Sequence, residues 1–278
     1  MSLPPGATDA RRVGGGDINQ AWHVTLKDGG EAFVKTRADV GHGEYAAEAA
    51  GLRWLAEPGA LRTPRVVELG EDYLALEWIE PGHLDSAGIE ELGRGLAATH
   101  AAGATNFGDP RSGDAPASFG SLSLPNEPTA DWPSFYAERR LRPLAAIARE
   151  RGALPDAGVR AVERVCERIA ELAGPPEPPA RLHGDLWGGN VMADVAGRPW
   201  LIDPSAYGGH REVDLAMLRL FGAPSERVFD AYAELTPLAV GWEQRVQLWQ
   251  LAPLLVHAVL FGGSYPAAVE RIARHYAG

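Results

Sequence analysis

The run Leu182-His183-Gly184-Asp185-Leu186-Trp187-Gly188-Gly189-Asn190-Val191 sets a carboxylate and a carboxamide five positions apart. At that spacing an Asp and an Asn can face one centre from a tight loop. Asp185 can accept or orient the proton of an attacking hydroxyl, and the amide oxygen of Asn190 can bind a hard cation such as Mg²⁺. A turn at Ala196-Gly197-Arg198-Pro199 then leads into apolar Trp200-Leu201-Ile202, and Asp203 ends that strand as a second oxygen ligand. Each of these residues alone is an ordinary turn former. The ordered set points to phosphoryl transfer: His-x-Asp, Asn five on, and Asp at the end of the next strand. His183 supports the loop backbone or touches the acceptor. Trp187, beside the reaction centre, stacks on a sugar or packs between lobes.

A phosphate-handling half lies upstream. Gly14-Gly15-Gly16-Asp17-Ile18-Asn19 immediately precedes the first expected strand, so the amides of Gly15 and Gly16 can approach phosphate oxygens. Lys35 follows Ala32-Phe33-Val34, an apolar strand ending in a cation, as expected of a residue holding α- and β-phosphates of ATP. Such a lysine needs a carboxylate from the next helix. Glu44 and Glu48 are both candidates, one turn apart, and Glu48 is preferred because it precedes the apolar face that would dock on the sheet. In Leu74-Ala75-Leu76-Glu77-Trp78-Ile79-Glu80, the Glu77 carbonyl and the Ile79 N–H are candidates for an adenine edge. Trp78 lies between them and its side chain carries little information.

The elements that position these groups change character along the chain. Gln20 to Leu26 and Glu31 to Thr36 flank Asp28-Gly29-Gly30 and read as a hairpin. Gly43 to Glu57 favours helix, and Pro64 to Leu69 and Tyr73 to Ile79 read as strands. After residue 84 the spacing becomes helical, with Ile89, Leu92 and Leu96 on one face. Asn106 to Pro133 reads as a long loop. Phe135 to Arg151 and Val159 to Leu172 read as helices, and residues 212 to 277 are mostly helical. The expected architecture is α+β: a small antiparallel β-sheet lobe with one helix over residues 1–80, then a larger, mostly helical lobe over 81–278. A cleft between two such lobes is the expected ligand site.

Composition narrows the partners. A formal net charge of -11 opposes nucleic-acid backbones. The single cysteine, Cys166, allows no internal disulfide and fits a reducing cytoplasm; it lies on an apolar helical stripe. The N-terminus lacks the basic and apolar regions of a signal peptide. The most apolar stretch, Leu248 to Phe261, is interrupted by Gln250, Pro253 and His257 and falls short of the roughly 18 apolar residues of a membrane span.

The run from His183 to Asn190 resembles the catalytic loop of the fructosamine (ketosamine) kinase family. So do Leu201-Ile202-Asp203-Pro204-Ser205-Ala206-Tyr207 and Gly209-His210-Arg211-Glu212-Val213-Asp214-Leu215-Ala216-Met217. Gly14 to Asn19 and Trp132 to Leu141 match too, so the likeness spans nearly the whole chain. The His-Gly-Asp core is shared with aminoglycoside phosphotransferases and choline kinases. The Asp-Leu-Trp-Gly-Gly-Asn form is narrower. The resemblance implies a protein-kinase-like fold and ATP-dependent phosphorylation of a small or protein-bound ketosamine at its sugar 3-hydroxyl, a deglycating reaction. It makes Asp185 the base, Asn190 and Asp203 the Mg²⁺ ligands and Lys35 the phosphate clamp. It leaves Arg211, Glu212 and Asp214 as structural residues, an Arg between two carboxylates bracing a turn. Another kinase of the same fold, acting on an aminoglycoside, choline or homoserine, is the alternative. A catalytically inactive nucleotide-binding protein would have no need to keep Lys35, Asp185, Asn190 and Asp203 together.

Overall fold

Alternating apolar residues in the first eighty positions build an antiparallel sheet. The computed structural model describes residues 6–14, 19–37, 40–41, 43–109 and 117–278. Its first strands are β1 (Ala7–Val13), β2 (Gln20–Leu26), β3 (Glu31–Thr36), β4 (Val66–Leu69) and β5 (Tyr73–Glu77). They pair in the order β1-β2-β3-β5-β4. The two-residue period sends Val24, Ala32, Val34 and Ala75 into one cluster and Phe33, Leu74 and Leu76 into another. Helix α1 (Glu44–Ala56) covers the second face with Tyr45, Ala49 and Leu52. Lys35 has the parity of Phe33 and therefore sits on the α1 side.

β1 was not expected. It precedes the glycine stretch, which therefore lies between two paired strands, Val13 opposite Ala21, rather than before the first one. The segment Ala-Thr-Asp-Ala-Arg-Arg-Val shows no apolar alternation because it is an edge strand, half exposed and charged. Gly15 and Gly16 lie outside the described residues.

β5 stops at Glu77, and residues 78–85 carry the chain to α2 (Ser86–Ala101), where the Asp85 side chain accepts from Gly88 N at 2.8 Å. The expected loop of residues 106–133 contains a short hairpin, β6 (Ala117–Phe119) and β7 (Leu122–Leu124), whose three-residue strands are too brief to show a period. Helix α3 (Trp132–Tyr136) starts three residues earlier than expected, at an Asp131 cap. It continues through a π-helical turn (Ala137–Leu141) into α4 (Arg142–Glu150). Pro143 lacks the N–H that a regular helix would use there, and the widened turn just before it absorbs the break. In α5 (Asp156–Leu172), Val162, Val165, Cys166 and Ile169 form the expected buried stripe, and burial pushes the Cys166 thiol up to about 12.

Four short strands then frame the chemistry: β8 (Ala180–Leu182), β9 (Val191–Ala193), β10 (Pro199–Leu201) and β11 (Tyr207–Gly209). β9 pairs with β10, and β8 with β11. Helices α6 (Glu212–Leu220), α7 (Arg227–Leu235), α8 (Trp242–Trp249), α9 (Leu251–Phe261) and α10 (Tyr265–Ala277) complete the chain. Phe135, Tyr136, Leu182, Trp249 and Leu255 share the largest core, so the strand leading into residues 183–190 is anchored in rigid packing. Among the described residues no helix is long and apolar enough to cross a membrane.

Candidate active site

Residues 183–190 form the loop between β8 and β9, and its shape depends on Gly184. That residue has φ 83, and a Cβ there would sit 2.0 Å from the Ser205 carbonyl oxygen. Gly184→Ala is therefore expected to destabilise the fold by about 2–4 kcal/mol, from left-handed strain plus a backbone clash. Urea unfolding measures it, and a loss under about 0.5 kcal/mol would remove the argument.

Asp214 of α6 holds the loop from below. Its carboxylate accepts from His183 N at 2.7 Å and Gly184 N at 2.9 Å. It also lies 3.2 Å from His100 Nε2, whose other nitrogen meets the Tyr232 hydroxyl at 2.8 Å. Burial alone would raise the Asp214 carboxyl. The hydrogen bonds from His100 and the Gly184 amide help to outweigh it, and the group is held below the usual range. Asp214→Asn would turn an NH₂ toward one of the two backbone donors. The expected loss is about 3 kcal/mol in chemical denaturation, with weakened turnover. Arg211 and Glu212 do not pair with each other as a brace around this turn. Arg211 binds Glu177 through two bonds of 2.7 and 2.8 Å, and Glu212 binds Arg245 at 2.9 and 2.6 Å.

His183 is committed to the loop. Its Nε2 lies 2.9 Å from the Ile202 carbonyl, which can only accept, so Nε2 carries the hydrogen and Nδ1 accepts from Asp185 N at 3.2 Å. The ring is 1% exposed, burial lowers its pKa, and it does not line the cleft. It has no free nitrogen for an acceptor, contrary to that part of the sequence expectation.

The four chemical side chains converge. Asp185 is half-buried, and burial pushes its carboxyl up to about 6. Asn190 Nδ2 donates to the Asp185 carbonyl at 2.8 Å and to Asp185 Oδ2 at 3.1 Å. Its Oδ1 is thereby turned away and left to accept. Asp203 arrives at the end of β10 with φ 56, the one non-glycine residue at positive φ among the described residues. Strain of that kind concentrates at functional positions. Its Oδ1 meets Lys35 Nζ at 2.5 Å, and Glu48 Oε1 meets the same nitrogen at 2.8 Å. Burial works against the Lys35 charge, but the two carboxylates outweigh it and the ammonium is held well above its usual range. Glu44 instead binds Arg37.

These residues line one cleft of about 1120 Å³. At one end Ala21, Phe33, Leu76, Met192 and Ile202 form an apolar slot beside the 77–80 segment, with Gly14 and Asn19 at its rim. The Trp78 ring stacks on His23 at 3.9 Å, and its Nε1 donates to Glu80 at 3.0 Å. Glu77 N is taken by the Arg65 carbonyl at 2.8 Å. Among the described residues no cluster of three His, Cys, Asp or Glu could hold a metal alone. Asn190 and Asp203 supply hard oxygens that suit Mg²⁺, provided that phosphate or water completes the shell.

The family model described as Fructosamine kinase matches residues 4–277, almost the entire chain. The chain belongs to the fructosamine kinase family. A protein of Synechocystis named a probable ketoamine kinase is 36% identical over 274 residues, covering 96% of this chain and 89% of that one. A chloroplastic protein-ribulosamine 3-kinase of Arabidopsis thaliana is 34% identical, covering 95% and 81%. A Thermobifida fusca structure named a "putative fructosamine-3-kinase" superposes with a TM-score of 0.89 at 43% identity, covering 97% and 93%. The aminoglycoside phosphotransferase APH(4)-Ia, at 19% identity and a TM-score of 0.62 over 98% and 93%, shares the protein-kinase-like fold alone.

The other end of the family cleft is aromatic. Trp187 is 39% exposed and meets Phe221 edge-on at 6.1 Å. A Cβ on Gly189 would collide with the indole at 2.2 Å, so the glycine lets the ring lie over the loop. Phe221 in turn packs on His257 at 4.7 Å, and His257 on Tyr265 at 5.1 Å. Sequence reading missed Phe221, His257, Phe261 and Tyr265, which line this end from the end of α6 and from α9 and α10. No local motif marks them, because helical apolar residues read as core.

Proposed function

We propose that this protein is an ATP-dependent kinase that phosphorylates the sugar 3-hydroxyl of ketosamines, fructosamine or ribulosamine, with residues 1–80 holding the nucleotide and 81–278 the acceptor and the chemistry. The observation that carries the reading is the gathering of Lys35, Asp185, Asn190 and Asp203 in one cleft of a chain matched to the family along its length. Adenine fits the apolar slot against the Glu77–Trp78–Ile79 backbone. Lys35, positioned by Glu48, offsets phosphate charge, with the amides of Gly15 and Gly16 as further candidates. Asn190 Oδ1 and the Asp203 carboxylate would hold Mg²⁺, which neutralises charge on phosphate oxygens when bound. Asp185 accepts the hydrogen bond of the attacking hydroxyl and aligns it for in-line transfer. The transferred phosphoryl forms its new bond to that hydroxyl oxygen as its bond to the ADP leaving oxygen breaks, and the hydroxyl proton passes to Asp185. Trp187 offers a stacking face for the sugar at the reaction centre.

Purified protein with ATP and Mg²⁺ tests this against fructosyl-lysine and ribulosyl-lysine, with an aminoglycoside, choline and homoserine alongside. Turnover confined to the ketosamines is the expected result. Activity on another acceptor alone would keep the chemistry and overturn the substrate.

A further inference from the structure

The catalytic carboxylate borders a second, smaller cavity. A largely apolar space of about 40 Å³ is bordered by Asp185 and Gly184, by Tyr136, Arg140 and Tyr207, and by His257, which also lines the main cleft. That is room for a water or one hydroxymethyl-sized group, not a sugar ring.

Two polar side chains on this cavity keep unused hydrogen-bonding capacity of opposite kind. Arg140 is 1% exposed. Its Nη1 donates to the Pro125 and Arg139 carbonyls and its Nη2 to Asn126 Oδ1, and the Tyr207 hydroxyl interacts with the guanidinium, yet the buried Nε itself makes no hydrogen bond of good geometry. A buried donor left unpaired costs stability, so its retention asks for a reason. His257 Nδ1 lies 2.8 Å from the Pro253 carbonyl. A carbonyl only accepts, so Nδ1 carries the hydrogen and Nε2 of the neutral ring is an acceptor. Burial favours that neutral form. Among the described residues no protein donor reaches Nε2. The ring is fixed by Phe221, Phe261 and Tyr265 at 4.7, 5.4 and 5.1 Å.

A hydroxyl both donates and accepts, and so satisfies an Arg donor and a His acceptor at once. The direction of the substrate follows from exposure. Trp187 and Phe261, 39% and 51% exposed, mark the open end of the acceptor cleft. An amine attached to a large carrier has to leave by that end. The sugar carbons beyond the reacting hydroxyl then point inward, past Asp185.

We propose that the small cavity is a subsite for the distal hydroxylated end of the keto sugar, with His257 Nε2 accepting from, and the Arg140 guanidinium donating to, a hydroxyl at least two carbons beyond the phosphorylated one. It thereby sets which sugar length is turned over. This rests on the ketosamine reading above. His257 is a specificity residue here, distinct from the Asp185 chemistry.

The test compares fructosyl-lysine, ribulosyl-lysine and erythrulosyl-lysine, with six, five and four sugar carbons, in wild type, His257→Phe and His257→Gln. His257→Phe keeps the aromatic packing and removes the acceptor. It should lower kcat/KM about tenfold on the longest substrate that wild type favours, mainly through KM, and less than about twofold on the four-carbon one. The KM for ATP should hold, and His257→Gln, which restores an acceptor, should recover most of the loss. Equal losses on all three lengths, no loss, or a changed KM for ATP would overturn the subsite while leaving the kinase reading intact. Absence of wild-type turnover on every ketosamine would overturn the kinase reading and the subsite with it.

Discussion

Asp185→Asn is expected to lower turnover by about 10²- to 10⁴-fold while ATP binding stays within about twofold of wild type. The substitution keeps the size of the side chain and its contact with Asn190, whose Nδ2 also bonds the Asp185 backbone carbonyl at 2.8 Å. The loop should therefore keep its shape. What disappears is the group proposed to accept the hydroxyl proton. That group already sits in a poised environment: burial pushes it up to about 6, and the Asn190 amide pulls the other way. Turnover and nucleotide affinity measured on the same preparation separate the two roles. Near-normal turnover would remove Asp185 from the mechanism, and a matching loss of ATP affinity would mean that the loop itself had collapsed.

Asp203→Ala should act on the nucleotide. ATP affinity in this variant is expected to lose most of its dependence on Mg²⁺, and kcat/KM to fall by about 10³-fold or more. Two observations set the size of the effect. Asp203 is held at positive φ by the strand and turn around it, so its carboxylate is placed before any ligand arrives. Its Oδ1 also meets Lys35 Nζ at 2.5 Å, which ties the metal-binding candidate to the phosphate-binding one. Removing it leaves Lys35 with Glu48 alone. Titration with and without a chelator reads the result directly. An unchanged Mg²⁺ dependence would assign the metal elsewhere, while a loss seen equally without Mg²⁺ would make Asp203 a positioning group for Lys35.

The comparison of Glu44 with Glu48 shows how far sequence reasoning reaches. Both lie on one side of α1, one turn apart, and the sequence prefers Glu48 because it precedes the apolar Ala-Gly-Leu face expected to dock on the sheet. The 2.8 Å contact with Lys35 agrees. His183 shows the limit. His-x-Asp fixes its place in the loop, but only the returning strand brings the Ile202 carbonyl to its Nε2 and closes it to substrate.

The chain's own order of residues determined the candidate chemical groups: two carboxylates and an amide at loop spacings, and a lysine on a strand with its carboxylate one helix later. These are local relations, governed by turn geometry, strand parity and helical period, so they can be read without the fold. It also determined the two-part architecture, because the apolar period changes from two to about 3.6 near residue 84. Tertiary structure alone decided β1, an edge strand without apolar alternation, and the ion-pair partners of Arg211 and Glu212, which lie more than thirty residues away. It alone assembled the aromatic end of the cleft, where Trp187, Phe221, His257 and Tyr265 meet from segments that share no spacing. Contacts between distant segments are set by how packed helices cross, and a linear pattern does not encode that crossing.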